Sequence, residues 1–115
     1  MTNITGMWKL VAIERQQEDG EVYRDDSPTG YLLYTPEGWL AEAFQYRTSE
    51  GEHGCVTYCG SWELGGENDE ILYHVPSVHP NQDNVGARLE RHYEIDGDTF
   101  TLIAGSVRLH CERLR

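Results

Sequence analysis

Apolar and polar residues alternate along most of this chain in short runs broken by turn-forming clusters. Trp8, Leu10 and Ala12 alternate with Met7, Lys9, Val11 and Ile13, which predicts a first strand over residues 6–16. Turn signals follow at Glu18-Asp19-Gly20-Glu21 and Asp25-Asp26-Ser27-Pro28. Two aromatic-rich runs, Gly30–Thr35 and Trp39–Tyr46, flank Pro36-Glu37-Gly38 and read as a β-hairpin. The composition of residues 38–46 also tolerates a helix, but their place directly after the turn favours a strand. Further strands are predicted over 55–63, 71–75, 88–95, 99–104 and 107–113. Tight turns are predicted at 65–69 and 96–98, and loops at 48–53 and 77–86. Eight strands with regularly spaced turns predict an all-β antiparallel barrel or sandwich.

The length of 115 residues suits one domain, taken as 1–115. The net charge of -11 is spread evenly: residues 1–57 carry 10 acids against 4 bases, and residues 58–115 carry 10 against 5. Without a basic half, phosphate-mediated nucleic-acid binding and an anionic membrane partner are not expected. No apolar run approaches a membrane span, and Met1–Ile13 lacks a secretion-signal layout, so a cytoplasmic protein is expected. Three cysteines, Cys55, Cys59 and Cys111, are too few for a disulfide scaffold and read as free thiols. The 7 Tyr and 3 Trp outnumber the 2 Phe, a composition that suits a barrel wall or pocket lining.

Several segments carry a resemblance. Gly6-Met7-Trp8-Lys9-Leu10 is similar to the opening strand of calycin barrels. Pro28-Thr29-Gly30-Tyr31-Leu32-Leu33-Tyr34-Thr35-Pro36-Glu37-Gly38-Trp39 resembles a hairpin of the short bacterial and fungal lipocalin-like domain family. Tyr58-x-Gly60-x-Trp62, His74-Val75, Ser77-x-x-Pro80-Asn81 with Gly86, Arg91-His92-Tyr93, and Asp96-Gly97-Asp98-x-x-Thr101-Leu102 follow in the same order. Cys111 departs from the pattern, standing where the family usually has Trp, and the stretch from His74 to Pro80 is short. The resemblance spans residues 6–113 and implies a small eight-stranded lipocalin-like (calycin) barrel that handles a small organic molecule. It also implies that a basic residue of the last strand, here Arg113, lies across Trp8 at the closed end.

Period-two alternation nominates the lumen groups. If Trp8 points inward, so do Leu10, Ala12 and Glu14, making Glu14 a candidate base or ligand anchor; its bland reading is a rim residue in water. Arg91 shares an apolar row with Leu89, Tyr93 and Ile95, and an inward guanidinium needs an acceptor, either an internal acid or a ligand. Tyr34 and Tyr58 are candidate phenol donors, with packing as the simpler role. The pattern leaves open which face of 71–75 is inside; the resemblance favours His74 as a functional residue. Trp39 and Tyr73 complete the candidate ligand-binding set. His53, Cys55 and Cys59 lack a fourth ligand at zinc-site spacing, so no metal is expected, and no nucleotide, haem or serine-hydrolase motif is present.

These readings point to a cofactor-independent enzyme of isomerase, cyclase or lyase type, with His74, Arg91 and Glu14 as catalytic groups and an apolar oxygenated metabolite as substrate. The alternatives are a carrier for a hydrophobic ligand and a filled barrel without a ligand. A homodimer is expected too, because Val11 and Ile13 fall opposite the inward Trp8 and Leu10, and Leu40 with Phe44 falls opposite Trp39.

Overall fold

A computed structural model describes residues 3–114. The elements are β1 (Gly6–Gln16), β2 (Val22–Asp25), β3 (Thr29–Tyr34), β4 (Trp39–Arg47), β5 (His53–Gly65), β6 (Ile71–Val78), a single 3-10 turn (Gln82–Asn84), β7 (Leu89–Asp96), β8 (Thr99–Ala104) and β9 (Val107–Arg113). Each strand from β3 to β9 pairs antiparallel with the next, and β1 pairs with both β3 and β9. Eight strands thus close an antiparallel barrel, with no edge left open between β9 and β1. The four residues of β2 lie between two turn signals. They form a strand by pairing with Ile13–Gln16, the half of β1 that runs past β3.

Alternation decides which side chains fill the barrel. On β4, Leu40, Glu42 and Phe44 are buried while Trp39, Ala41, Ala43 and Gln45 face out. That pattern, with partners on both sides, excludes a helix over 38–46. Trp8, Leu10, Leu32, Tyr34, Leu72, Phe100 and Leu102 make up much of the core. Leu40 and Phe44 belong to it as well, so the expected outward apolar set is corrected: Trp39 is the outward member.

β1 carries the main departure from simple alternation. Its register with β9 shifts between Leu10, opposite Cys111, and Ala12, opposite His110, so Val11 is an extra residue. A bulge of one residue exchanges the two faces of a strand. Beyond it Ile13 joins the inward Leu109, and Glu14 joins Arg108 on the outer wall.

The closed end is built as expected. Trp8 is fully buried, its indole N–H donates to the Ile4 carbonyl at 2.9 Å, and Phe100 stacks beside it at 5.0 Å. The Arg113 guanidinium lies 4.2 Å from the indole and donates to the carbonyls of Thr5 (2.7 Å) and Asn3 (3.0 Å). A cation–π contact of this kind contributes about 0.5–2 kcal/mol, towards the upper end where water is excluded. Among the described residues, no helix is long and apolar enough to cross a membrane.

Candidate functional site

Five inward positions on five consecutive strands carry polar groups: Tyr34 on β3, Glu42 on β4, Tyr58 on β5, His74 on β6 and Arg91 on β7. Glu42 stands directly opposite Tyr58 across β4 and β5, and Arg91 opposite the buried Leu72 across β6 and β7. Gly60 lets β6 cross close at this level, since a Cβ there would collide with the Val75 carbonyl oxygen.

His74 is wholly buried and holds a phenol at each ring nitrogen: Tyr34 Oη at 2.8 Å from Nε2 and Tyr58 Oη at 2.7 Å from Nδ1. Burial, with Arg91 adding repulsion, pushes His74 down to about 3, so the ring is neutral at physiological pH. A neutral imidazole donates from one nitrogen and accepts at the other, so one tyrosine is its donor and the other its acceptor. Burial raises both phenols, and the charge of Glu42 adds to the effect.

Glu42 is the group that reading the sequence missed. Its residue is only 5% exposed, and its Oε1 is buried without a hydrogen-bond partner. Burial pushes its carboxyl up to about 7, while Arg91 and a hydrogen-bonding contact with Tyr58 hold it from rising further. A carboxyl that titrates near neutrality, with one oxygen free and a guanidinium sharing its lumen, can take or give a proton and can accept a ligand donor. The signal was present: Leu40, Glu42 and Phe44 share one alternation row, the same pattern that singled out Arg91.

The other candidates lie elsewhere. The bulge puts Glu14 on the outer wall, where its carboxylate takes hydrogen bonds from His110 (2.5 Å) and Arg24 (2.9 Å) and ties β2 to the barrel. Trp39 is 59% exposed on the outer wall. Tyr73 also faces out, between Glu63 and Glu90, with the Arg88 guanidinium 3.9 Å above its ring. Cys55 and Cys59 are exposed on the outside of β5, and no three His, Cys, Asp or Glu among the described residues stand close enough to hold a metal ion.

Two features of the surface flank the polar centre. At the open end, a cleft of about 630 Å³ is lined by Ile13, Arg15, Tyr23, Asp25, Tyr46 and rim residues. From Tyr46 the inward side of β4 continues through Phe44 to Glu42, four residues or about 13 Å along the strand. On the flank, β6 pairs with β5 only from Cys59 onward, leaving His53–Tyr58 without it. There His79, at the start of the loop to β7, packs its ring 4.8 Å from that of Tyr58. The inward Val56, Leu89 and Arg91 keep partial exposure.

Comparison with solved structures finds a crystal structure of an uncharacterized protein from Bacteroides eggerthii. It superposes with a TM-score of 0.59 over 97% of this chain and 100% of that one, at 12% identity. The two share a fold. At that identity the likeness carries nothing about chemistry. No family model and no curated protein matches the chain.

Proposed function

We propose that the barrel binds a small, apolar, oxygenated molecule in its lumen and moves a proton on it without a cofactor, as an isomerase, cyclase or lyase does. The observation that carries this reading is Glu42, a buried carboxyl with a free oxygen, raised to about 7. Ionised, Glu42 takes a proton from carbon next to a carbonyl. The C–H electron pair becomes the new C=C π bond, the carbonyl π pair moves to the oxygen, and Arg91 stabilises the resulting enolate. Return of the proton to a different carbon isomerises the substrate, and attack of the enolate on an internal electrophile cyclises it. Tyr58 donates its hydroxyl proton toward Glu42 and accepts from His74 Nδ1–H, while Tyr34 donates to Nε2. In this role His74 holds the phenols in place and stays neutral throughout. Membership of the lipocalin-like family belongs to the same reading; the shared motifs and the closed eight-stranded barrel support it.

A carrier without turnover is the second reading, favoured by the burial of Tyr34, His74 and Glu42 Oε1 alike, which a ligand reaches only when the lumen opens. Deuterium uptake from D2O into a panel of cyclic 1,3-diketones and enones, followed by proton NMR near pH 7, separates the two. The enzyme reading predicts uptake that Glu42→Gln lowers about 100-fold or more. Binding by native mass spectrometry without uptake supports the carrier, and neither binding nor uptake across the panel defeats both.

A further inference from the structure

The outer wall over β3, β4 and β5 differs from the rest of this acidic molecule. Between Arg47, His53 and Glu63, the outward residues at the ends of β4 and β5, its outward positions are Thr29, Tyr31 and Leu33 on β3, Trp39 to Gln45 on β4 and Cys55 to Ser61 on β5, alternate residues in each case. Not one of these outward residues is an acid or a base, although the chain carries 20 acids and a net charge of -11. Two rows cross the strands in register. One runs Met7, Leu33, Ala41, Cys59, Val78, and the next runs Lys9, Tyr31, Ala43, Thr57. Small residues in the middle leave a groove of about 500 Å³, whose lining also takes in Glu42, Tyr58 and His79 of the candidate site and its flank. Large side chains stand beside it half in water: Met7 at 41%, Tyr31 at 45% and Val78 at 63% exposed.

We propose that this face docks a second copy of the same chain through a two-fold contact. Charge selects the partner. Two chains of net charge -11 repel each other over most of their surface, whereas the middle of this face carries a single charged side chain, Lys9, at its β1 margin. Shape agrees with charge. Knobs (Met7, Tyr31) and hollow (Ala43, Cys59) lie side by side on one surface, so a two-fold axis through the groove sets each copy's knobs into the other's hollow. With strands about 4.8 Å apart and about 3.4 Å per residue, the face measures roughly 20 by 25 Å. Its projection, on the order of 500 Å², falls below the ~800 Å² that each partner gives a standard interface, which suits a weak, reversible dimer rather than an obligate one. The dimer expected from the sequence thus acquires a different face, since Ile13, Leu40 and Phe44 are inside the barrel.

Sedimentation velocity of the intact protein tests this at about 0.01 M and about 0.15 M salt, where the Debye length falls from ~30 to ~8 Å. The expected result is a monomer–dimer equilibrium in the micromolar range that tightens at the higher salt. Ala43→Arg, at an outward position between Tyr31 and Thr57, is expected to weaken it at least tenfold with an unchanged circular dichroism spectrum. Val22→Arg, on the exposed side of β2, is expected to leave it unchanged. In a Cys55→Ser background, a short bismaleimide is expected to join two chains through Cys59. A monomer under all conditions overturns the proposal, as does a dimer indifferent to Ala43→Arg. A monomer that takes up an apolar dye lost in Ala43→Arg also overturns it and assigns the groove to a small ligand.

Discussion

Replacing Glu42 with Gln keeps the shape of the side chain and removes its titration. Burial raises the Glu42 carboxyl from 4.5 to about 7. At about 1.4 kcal/mol per pK unit, the folded state holds the ionised form at a cost of about 3 kcal/mol. Between pH 4.5 and 7 the folded protein binds the Glu42 proton more than the unfolded chain does. Stability from this group is therefore fully present below about 4.5 and is lost as pH rises through about 7. His74 acts in the opposite sense: lowered to about 3, it contributes stability present above 6.5 and lost as pH falls toward 3. The two slopes oppose each other between 4.5 and 6.5 in the native protein, and the difference between native and Glu42→Gln isolates Glu42. Urea unfolding in steps from about pH 4 to about pH 8.5 reads this difference directly. Relative to its position at the acid end, Glu42→Gln is expected to gain about 3 kcal/mol on the native protein by pH 8. Arg91, left without that carboxylate, lowers the absolute stability of the variant but not the pH dependence of the difference. Parallel stability curves for the two proteins would refute the raised carboxyl.

Arg113→Ala should remove about 0.5–2 kcal/mol of cation–π attraction and two carbonyl contacts, lowering the melting temperature by several degrees while the Glu42 titration stays put; calorimetry checks the first and NMR the second. Tyr58→Phe leaves His74 Nδ1 and Glu42 without the phenol, so stability should fall by about 1–3 kcal/mol and Glu42 should titrate still higher, read by urea unfolding and by carboxyl NMR. Glu14→Gln should cost no more than about 1 kcal/mol, because its partners are partly in solvent, and should not move Glu42 at all; a shifted Glu42 titration would put Glu14 back in the lumen.

The barrel was legible because alternation survives along most strands: Leu40, Glu42 and Phe44 against Trp39, Ala41 and Ala43 is enough to define β4. It failed on β1 for a physical reason. Leu10-Val11-Ala12-Ile13 is apolar throughout, so nothing in it marks the extra residue, and without the bulge Glu14 counts inward. Trp39 was misassigned by residue type, whereas its parity with Ala41 and Ala43 already placed it outside. Arg91 and the Trp8–Arg113 pair were legible, one from its apolar row and the other from the resemblance at the two chain ends. The bond from Tyr34 to His74 was not. It joins residues on β3 and β6, which are not neighbours in the sheet, and exists only once the barrel curls the two strands toward each other.

A lumen carboxyl that exchanges its proton near neutrality is the centre of the proposed chemistry. Glutamate labelled with carbon-13 at the side-chain carboxyl, assigned with Glu42→Gln and titrated by NMR, observes that group alone. A Glu42 resonance with its midpoint at about 7, standing apart from the exposed glutamates, is the predicted result. A midpoint in the ordinary carboxylate range near 4.5 would contradict the site and the chemistry assigned to it.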